Sequence, residues 1–225
     1  MSGRPGWDAI EGVLAELYGG VEPRRWRAED PWAAGGTEPL DGVNAYSRGG
    51  PVPHWHYVSF GMSELYEKEW DNPAESGWGF EFSFRLLRQE GELRAPQWPV
   101  TFLQNLARYV YQSGKRFEVG HTIKSSGPIA DDRPDSLIHA VGFVQDPELG
   151  VLQAPFGRVE FRQMIGLTMT EYRAALGGKL LGLLGGLSDQ LLPLHVTDMS
   201  RRSLIPEPKP QASWPRWGGG LRGRA

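Results

Sequence analysis

Two histidines, His54 and His56, are the residues whose type and spacing most readily suggest chemistry in this chain. They lie two positions apart in the segment PHWHYVSF, residues 53–60, whose alternation is typical of a β-strand. Side chains two apart on a strand share a face, so both imidazoles could reach one metal ion. The alternative is that they lie at a strand end and form local hydrogen bonds. Because a stable zinc site needs more than two ligands and no acidic residue lies close by in the sequence, we expect no metal here.

Two charged segments could also do chemistry. Asp131, Asp132 and Asp135 surround Arg133, and paired carboxylates can perform acid–base catalysis, but Asp and Pro are ordinary residues of surface turns. The segment DMSRR, residues 198–202, is compatible with an exposed turn or helix cap, a structural ion pair or an interaction site. The sequence contains no motif of a nucleophile with its base and no Gly-rich phosphate loop. We therefore expect no catalytic residue and no cofactor.

The composition of the chain excludes several other kinds of site. The 225 residues include no cysteine, which excludes disulfides, thiolate zinc sites and a cysteine nucleophile. A net charge of −3 gives no electrostatic footprint for nucleic acid or an anionic membrane. The N-terminus lacks the apolar run of a signal peptide, and the most apolar later stretch, residues 180–187, is too short to cross a bilayer. These features predict a soluble cytoplasmic protein with no nucleic-acid or membrane partner.

Strands and helices alternate along the chain without a regular βαβ rhythm. Apolar spacing and end signals predict helices over residues 8–18, 99–113, 168–176 and 179–187. Alternation predicts strands over residues 43–46, 53–60, 78–87, 116–123, 137–144, 159–167 and 194–197. The residues Phe80, Phe82 and Phe84 form an apolar face that must pack against a broad surface, most simply a helix. The fold class expected is α+β, with a mixed, mostly antiparallel central sheet flanked by helices.

The expected domain covers residues 1–205. Residues 206–225, PEPKPQASWPRWGGGLRGRA, are rich in Pro, Gly and Arg and have little to bury, which predicts a disordered tail.

Four ordered blocks of the sequence resemble the amino-terminal domain of the Suppressor of fused family. They are PHWHYVSFGMSELY at 53–66, SGWGFEFSFRL at 76–86, PQWPVTFLQNLARYVYQSGKRFEVGH at 96–121 and LQAPFGRVEFRQMIGLTMTEY at 152–172. A weaker match, VTDMSRRSLI, follows at 196–205. The resemblance implies a protein-binding module with no chemistry of its own. In the metazoan family member, the partner peptide lies as an added strand between this domain and a second, carboxy-terminal domain.

By position, the resemblance assigns partner binding to Tyr109, Gly120, His121, Thr122 and Ile123. The metazoan pattern has an aspartate beside the histidine, whereas this chain reads EVGHTI, so we expect a different peptide specificity.

The chain ends before a second domain could form, and single-domain members resemble bacterial proteins thought to be immunity proteins that neutralise toxins. The resemblance therefore favours a protein or peptide partner of that kind, with its identity and the oligomeric state left open. The alternative function is a metal-assisted hydrolase that uses the His54/His56 pair.

Overall fold

The computed structural model describes residues 3–32 and 35–207 of the chain. The helices are α1 (Pro5–Tyr18), α2 (Trp98–Ser113), α3 (Met169–Ala175) and α4 (Leu180–Gly186), followed by a 3-10 turn at Pro193–His195. A reciprocal capping box opens α3, because Glu171 N donates to Thr168 Oγ1 and Thr168 N donates to the Glu171 carboxylate. The four predicted helices are confirmed.

Eight strands form one mixed sheet. They are β1 (Arg24–Arg27), β2 (Gly42–Arg48), β3 (His54–Phe60), β4 (Glu75–Leu87), β5 (Thr122–Lys124), β6 (Ile138–Gln145), β7 (Val151–Ala154) and β8 (Gly157–Thr168). The strand order is β1-β2-β3-β4-β8-β6-β5, and β7 forms a hairpin with β8. Within the described residues the β4–β8 pair is parallel and the other strand pairs are antiparallel. The predicted α+β class is confirmed.

Alternation along the central strands divides the core between the two faces of the sheet. Helix α2 covers the aromatic face of β4, in a cluster that includes Phe80, Phe82, Phe84, Leu103, Leu106 and Val110. Helix α1 covers β3 on the opposite face, in a cluster that includes Trp7, Ile10, Leu14, Val58 and Phe60. Helices α3 and α4 pack over β6 and β8. The sheet is therefore buried on both faces, and the predicted helix partner of the phenylalanine face is α2.

The structure corrects two predicted strands. Within the predicted strand 116–123, a turn in which His121 N donates to Glu118 O precedes β5, with Gly120 at φ 93°. Only Thr122–Lys124 pairs with β6. The predicted strand 194–197 is instead the 3-10 turn followed by a single parallel bridge between Thr197 and Leu86.

The predicted tail, residues 206–225, lies outside the described residues apart from Pro206 and Glu207, and the domain end at residue 205 stays a prediction. Between residues 3 and 207, apart from the gap at 33–34, no helix has the length and apolar character needed to cross a membrane.

Candidate functional site

Strand β5 forms one edge of the sheet and pairs only with β6 in the described strand order. On either side of Ile123, Phe143 N donates to His121 O at 3.0 Å and Ser125 N donates to His139 O at 2.8 Å. Backbone groups of an antiparallel strand point alternately toward and away from the neighbouring strand. Thr122 and Lys124 therefore direct their N–H and C=O groups away from β6, as the free edge of a sheet does.

Tyr109 provides an exposed aromatic surface beside this edge. It lies near the end of α2 and keeps 40% of its surface exposed. One face of its ring stacks on Phe117 at a centroid distance of 5.5 Å, and Phe117 in turn stacks on Phe143 at 4.3 Å. Because this stack reaches the buried core, the tyrosine ring is held in place from below while its outer side remains open.

A cleft of about 560 Å3 brings four of the five predicted binding residues together: Tyr109, Gly120, His121 and Thr122. Its opposite wall consists of Ala175 and the glycine pair 177–178, just after α3. The fifth residue, Ile123, does not line the cleft and packs its half-buried side chain against the core beneath α2. This division follows from the alternation along β5.

His121 is oriented within the cleft by a local hydrogen bond. Its Nδ1 accepts a hydrogen bond from Glu118 N at 3.0 Å, so Nε2 carries the proton of the neutral ring. The cleft thus offers a ring N–H donor beside an aromatic surface and a free strand edge.

Ion pairs fix the segment that leads into β5. Arg116 pairs with Glu75 at 2.9 Å, and this hydrogen-bonded contact holds the pKa of Glu75 below its usual range. Glu118 pairs with the buried Arg162 at 2.8 Å. The turn before the strand is consequently anchored to β4 and β8, which gives the edge a defined position.

The histidine pair lies away from solvent, on the face of β3 that α1 covers. His56 is fully buried, with Tyr18 Oη 2.6 Å from Nδ1 and Asp146 Oδ2 3.2 Å from Nε2. Burial, with the neighbouring Arg85 charge adding to it, lowers the pKa of His56 to about 4. The Nδ1 of His54 instead lies 2.7 Å from Val52 O. The Nδ1 atoms of the two rings therefore engage separate protein partners.

Asp146 is the acidic partner that sequence reasoning missed. Its carboxylate accepts hydrogen bonds from Arg85 Nη1 at 2.7 Å and from Ser83 Oγ at 2.6 Å, and all three residues are buried. Burial alone would raise the pKa of Asp146, but the contacts with His56 and Arg85 outweigh it and hold that pKa well below its usual range. The expectation that no acidic residue lies near the histidines is wrong, because the fold brings Asp146 beside His56. The two residues are 90 positions apart in the sequence. No group of three His, Cys, Asp or Glu side chains in residues 3–32 and 35–207 is arranged to hold a metal.

Glu81 is a second buried carboxylate that the sequence pattern did not single out as a site. It accepts hydrogen bonds from Ser59 Oγ at 2.5 Å and from Ser63 Oγ at 2.7 Å. It also accepts from the backbone N–H groups of Gly61 and Ser63, at 3.0 and 2.9 Å. Full burial raises the pKa of Glu81 to about 7 despite these donors. The carboxylate thereby holds the turn that follows β3.

One of the two charged segments lies in exposed turns, and the other contains a structural ion pair. Asp131, Asp132 and Asp135 are exposed in turns, as the turn interpretation predicts. In the second segment, Arg201 pairs with Glu171 at 2.6 Å and donates to Gly166 O at 2.7 Å, which is the structural ion pair among the alternatives. Neither segment contributes to the cleft beside β5.

Comparison with known proteins identifies the family. The family model described as Suppressor of fused protein (SUFU) matches residues 36–202. The Suppressor of fused homologues of Homo sapiens and Mus musculus are each 37% identical over 219 residues, which cover 91% of this chain. This chain belongs to the Suppressor of fused family. The aligned region is 45% of each of those proteins, so the chain spans about half the length of the curated relatives it matches.

Solved Suppressor of fused structures share the fold. A chain of the Sufu–Fu complex crystal structure superposes with a TM-score of 0.81 and 31% identity, over 88% of this chain and 92% of that one. Drosophila Suppressor of Fused gives a TM-score of 0.80 and 30% identity, over 89% of this chain and 51% of that one. A homologue from Neisseria gonorrhoeae, at 15% identity and a TM-score of 0.62, shares the fold over 90% of this chain and 98% of its own.

Proposed function

We propose that this chain is a non-catalytic protein-binding module that holds an extended segment of a partner protein along β5. The observation that carries the proposal is the free strand edge beside the anchored ring of Tyr109. An incoming strand would pair with the outward backbone groups of Thr122 and Lys124, while its side chains would contact Tyr109 and His121. Main-chain hydrogen bonds would supply much of the affinity, and the cleft would supply the selectivity.

The titratable groups of the fold support a role without catalysis. His56, Asp146 and Glu81 have the shifted pKa values that often accompany catalysis, but all three are buried and hydrogen-bonded or ion-paired within the fold. None of them lines the cleft beside β5. His56 is fully buried and its Nδ1 is engaged by Tyr18 of α1, so the hydrolase alternative gains no support from this pair.

The family comparison supports a protein partner. A chain of similar extent, 31% identical to this one, has been crystallised in the Sufu–Fu complex. The partner in that complex is the partner of that protein and is not assigned to this chain. For this chain we propose only the class, a polypeptide that presents an extended segment.

The test uses two variants with matched controls. Tyr109→Ala removes the aromatic ring and Tyr109→Phe keeps it; Thr122→Pro removes the outward N–H and Thr122→Ala keeps it. Native partners are captured by cross-linking to the full chain, and the binding of an identified partner is then measured by calorimetry.

Tyr109→Ala is expected to cost about 2 kcal/mol or more, roughly thirtyfold in affinity, because truncated aromatic anchors are typical interface hot spots. Thr122→Pro should weaken binding further, and both controls should bind nearly as the wild type does. Near-UV circular dichroism checks that each variant is folded. Full-strength binding by both folded test variants would exclude this docking surface.

We further propose that the protein is bacterial and cytoplasmic, and that its partner is a toxin it neutralises. The Neisseria gonorrhoeae homologue shows that a bacterial chain of similar extent has this fold. Co-expression with the product of the neighbouring reading frame tests the idea. Rescue of growth by the wild type and by Thr122→Ala, but not by Thr122→Pro, is expected. A non-toxic neighbour would remove the immunity role and leave the binding module in place.

A further inference from the structure

A second group of exposed aromatic rings surrounds a small cavity that the proposed docking site does not use. Trp32, Tyr66 and Trp70 keep 47%, 44% and 41% of their surfaces exposed. Together with Tyr111 of α2, they line a cavity of about 230 Å3, and we call these four residues the aromatic box. The cavity is smaller than a typical pocket for a drug-sized ligand, which starts at about 300 Å3, and its size suits one inserted side chain.

Three of the four rings of the box, those of Trp32, Trp70 and Tyr111, are linked through the half-buried Trp78. Trp32 packs on Tyr111 at 5.5 Å between centroids, and Tyr111 meets the edge of Trp78 at 5.4 Å. Trp70 meets the same Trp78 at 5.0 Å. Large aromatics grouped at a surface in this way are the residues that dominate binding energy at protein interfaces.

Buried carboxylates fix the floor and one wall of the aromatic box. Glu81 holds the N–H groups of Gly61 and Ser63, both of which line the cavity, and Tyr111 Oη donates to Gly61 O at 2.8 Å. Glu64 accepts from the N–H groups of Glu69 and Trp70 at 2.6 and 2.7 Å. The cavity is therefore formed before any ligand enters, which reduces the entropic cost of binding.

Two carboxylates give the cavity a negative charge. Asp41 and Glu69 line it, and neither forms an ion pair with a described residue. Asp41 Oδ2 accepts from Tyr66 Oη at 2.5 Å, which places the carboxylate at the ring. The third carboxylate of the lining, Glu64, is already paired with Lys68 at 2.8 Å.

The charges of two arginines of this chain reach Tyr66. Arg27 stacks over Trp7 at 3.9 Å, and Arg4 lies over the same ring at 5.4 Å and pairs with Asp8 at 3.8 Å.

We propose that the aromatic box binds an arginine side chain of a protein partner, as a contact separate from the docking edge at β5. Tryptophan and tyrosine faces attract cations, and a planar guanidinium stacks on them better than an ammonium does. Asp41 would accept hydrogen bonds from the guanidinium and select the charged side chain over a neutral one of the same shape. The box therefore fits a partner that presents a basic residue.

The test follows the indole N–H signals of the nitrogen-15-labelled full chain by NMR while a capped Gly-Arg-Gly peptide is added. Saturable shifts at Trp32 and Trp70, assigned through single Trp→Phe variants, are expected with a dissociation constant in the millimolar range. A citrulline peptide has the same shape without the charge and should bind at least tenfold more weakly. Equal shifts with both peptides, or shifts spread over all indoles, would overturn the proposal.

Variants separate this contact from other sources of binding. Asp41→Asn should weaken binding of the arginine peptide at least fivefold. Asp135→Asn, which removes an exposed carboxylate elsewhere, should leave that binding unchanged. Tyr109→Ala, which tests the docking edge, should also leave binding of the arginine peptide unchanged. The proposal for the docking edge and the proposal for the aromatic box can therefore be refuted separately. Undiminished binding in Asp41→Asn would contradict the assignment.

Discussion

Removal of Asp146 should destabilise this fold more than removal of any exposed carboxylate. The Asp146→Ala substitution leaves the guanidinium of Arg85 without its buried counter-ion, although both side chains are excluded from solvent. It also removes the acceptor for Ser83 Oγ and for the backbone N–H groups of Glu148 and Leu149, each 2.9 Å from Oδ1. Breaking a buried pair by deleting one partner costs about 3–5 kcal/mol. The orphaned donors bring the expected loss to at least about 4 kcal/mol of the free energy of unfolding.

Glu148→Ala is the comparison variant, because Glu148 contacts the same Arg85 at 3.0 Å from a position 17% exposed; it also pairs with Arg48 at 2.5 Å. Two partly solvated ion pairs are lost, so a loss of about 1–2 kcal/mol is expected, smaller than that of Asp146→Ala. Urea unfolding followed by tryptophan fluorescence measures both variants. If Asp146→Ala does not fold, the double variant Arg85→Met/Asp146→Leu should recover folding, because replacing both charges removes the uncompensated one. Equal losses in the two single variants would refute this account of the buried network.

Three further predictions concern stability. Phe82→Ala should cost about 3–5 kcal/mol in urea unfolding, because the ring is fully buried beneath α2. The pKa of His56 is about 4 in the folded state and about 6.5 in the unfolded state, so the unfolded chain binds the proton more tightly. The free energy of unfolding therefore decreases as the pH falls from 6.5 to 4, and His56→Asn should abolish that decrease. Glu81 acts in the opposite direction, because its folded pKa of about 7 lies above its unfolded value, so it adds stability as the pH falls from 7 toward 4.5. Between pH 7 and pH 5, the free energy of unfolding relative to wild type should therefore rise in His56→Asn and fall in Glu81→Gln.

Local patterns were sufficient to predict most elements of the fold. The alternation of Phe80, Phe82 and Phe84 identified β4 and its buried face, and the pair Thr168/Glu171 identified the start of α3. These signals depend on neighbouring residues, so a single sequence contains them. Short strands carry much weaker signals, and for that reason β1 and the hairpin strand β7 escaped prediction.

Contacts between residues far apart in the sequence could not be predicted from the sequence alone. The partner of His56 is Asp146, and the partners of Glu81 are Ser59 and Ser63, which only the pairing of strands brings together. Alternation along β4 puts Glu81 opposite the phenylalanine face, but alternation does not show that this second face is also buried. A charged residue in an otherwise apolar central strand was the available signal, because such residues are seldom buried without a partner.

Backbone hydrogen exchange in β5 tests the central proposal most directly. In the free chain, the amides of Thr122 and Lys124 should exchange quickly, because they point away from β6, while the amide of Ile123 should exchange slowly. When the captured partner is bound, Thr122 and Lys124 should become protected and Ile123 should change little. Partner binding that leaves both outward amides as fast as before would contradict strand addition at this edge.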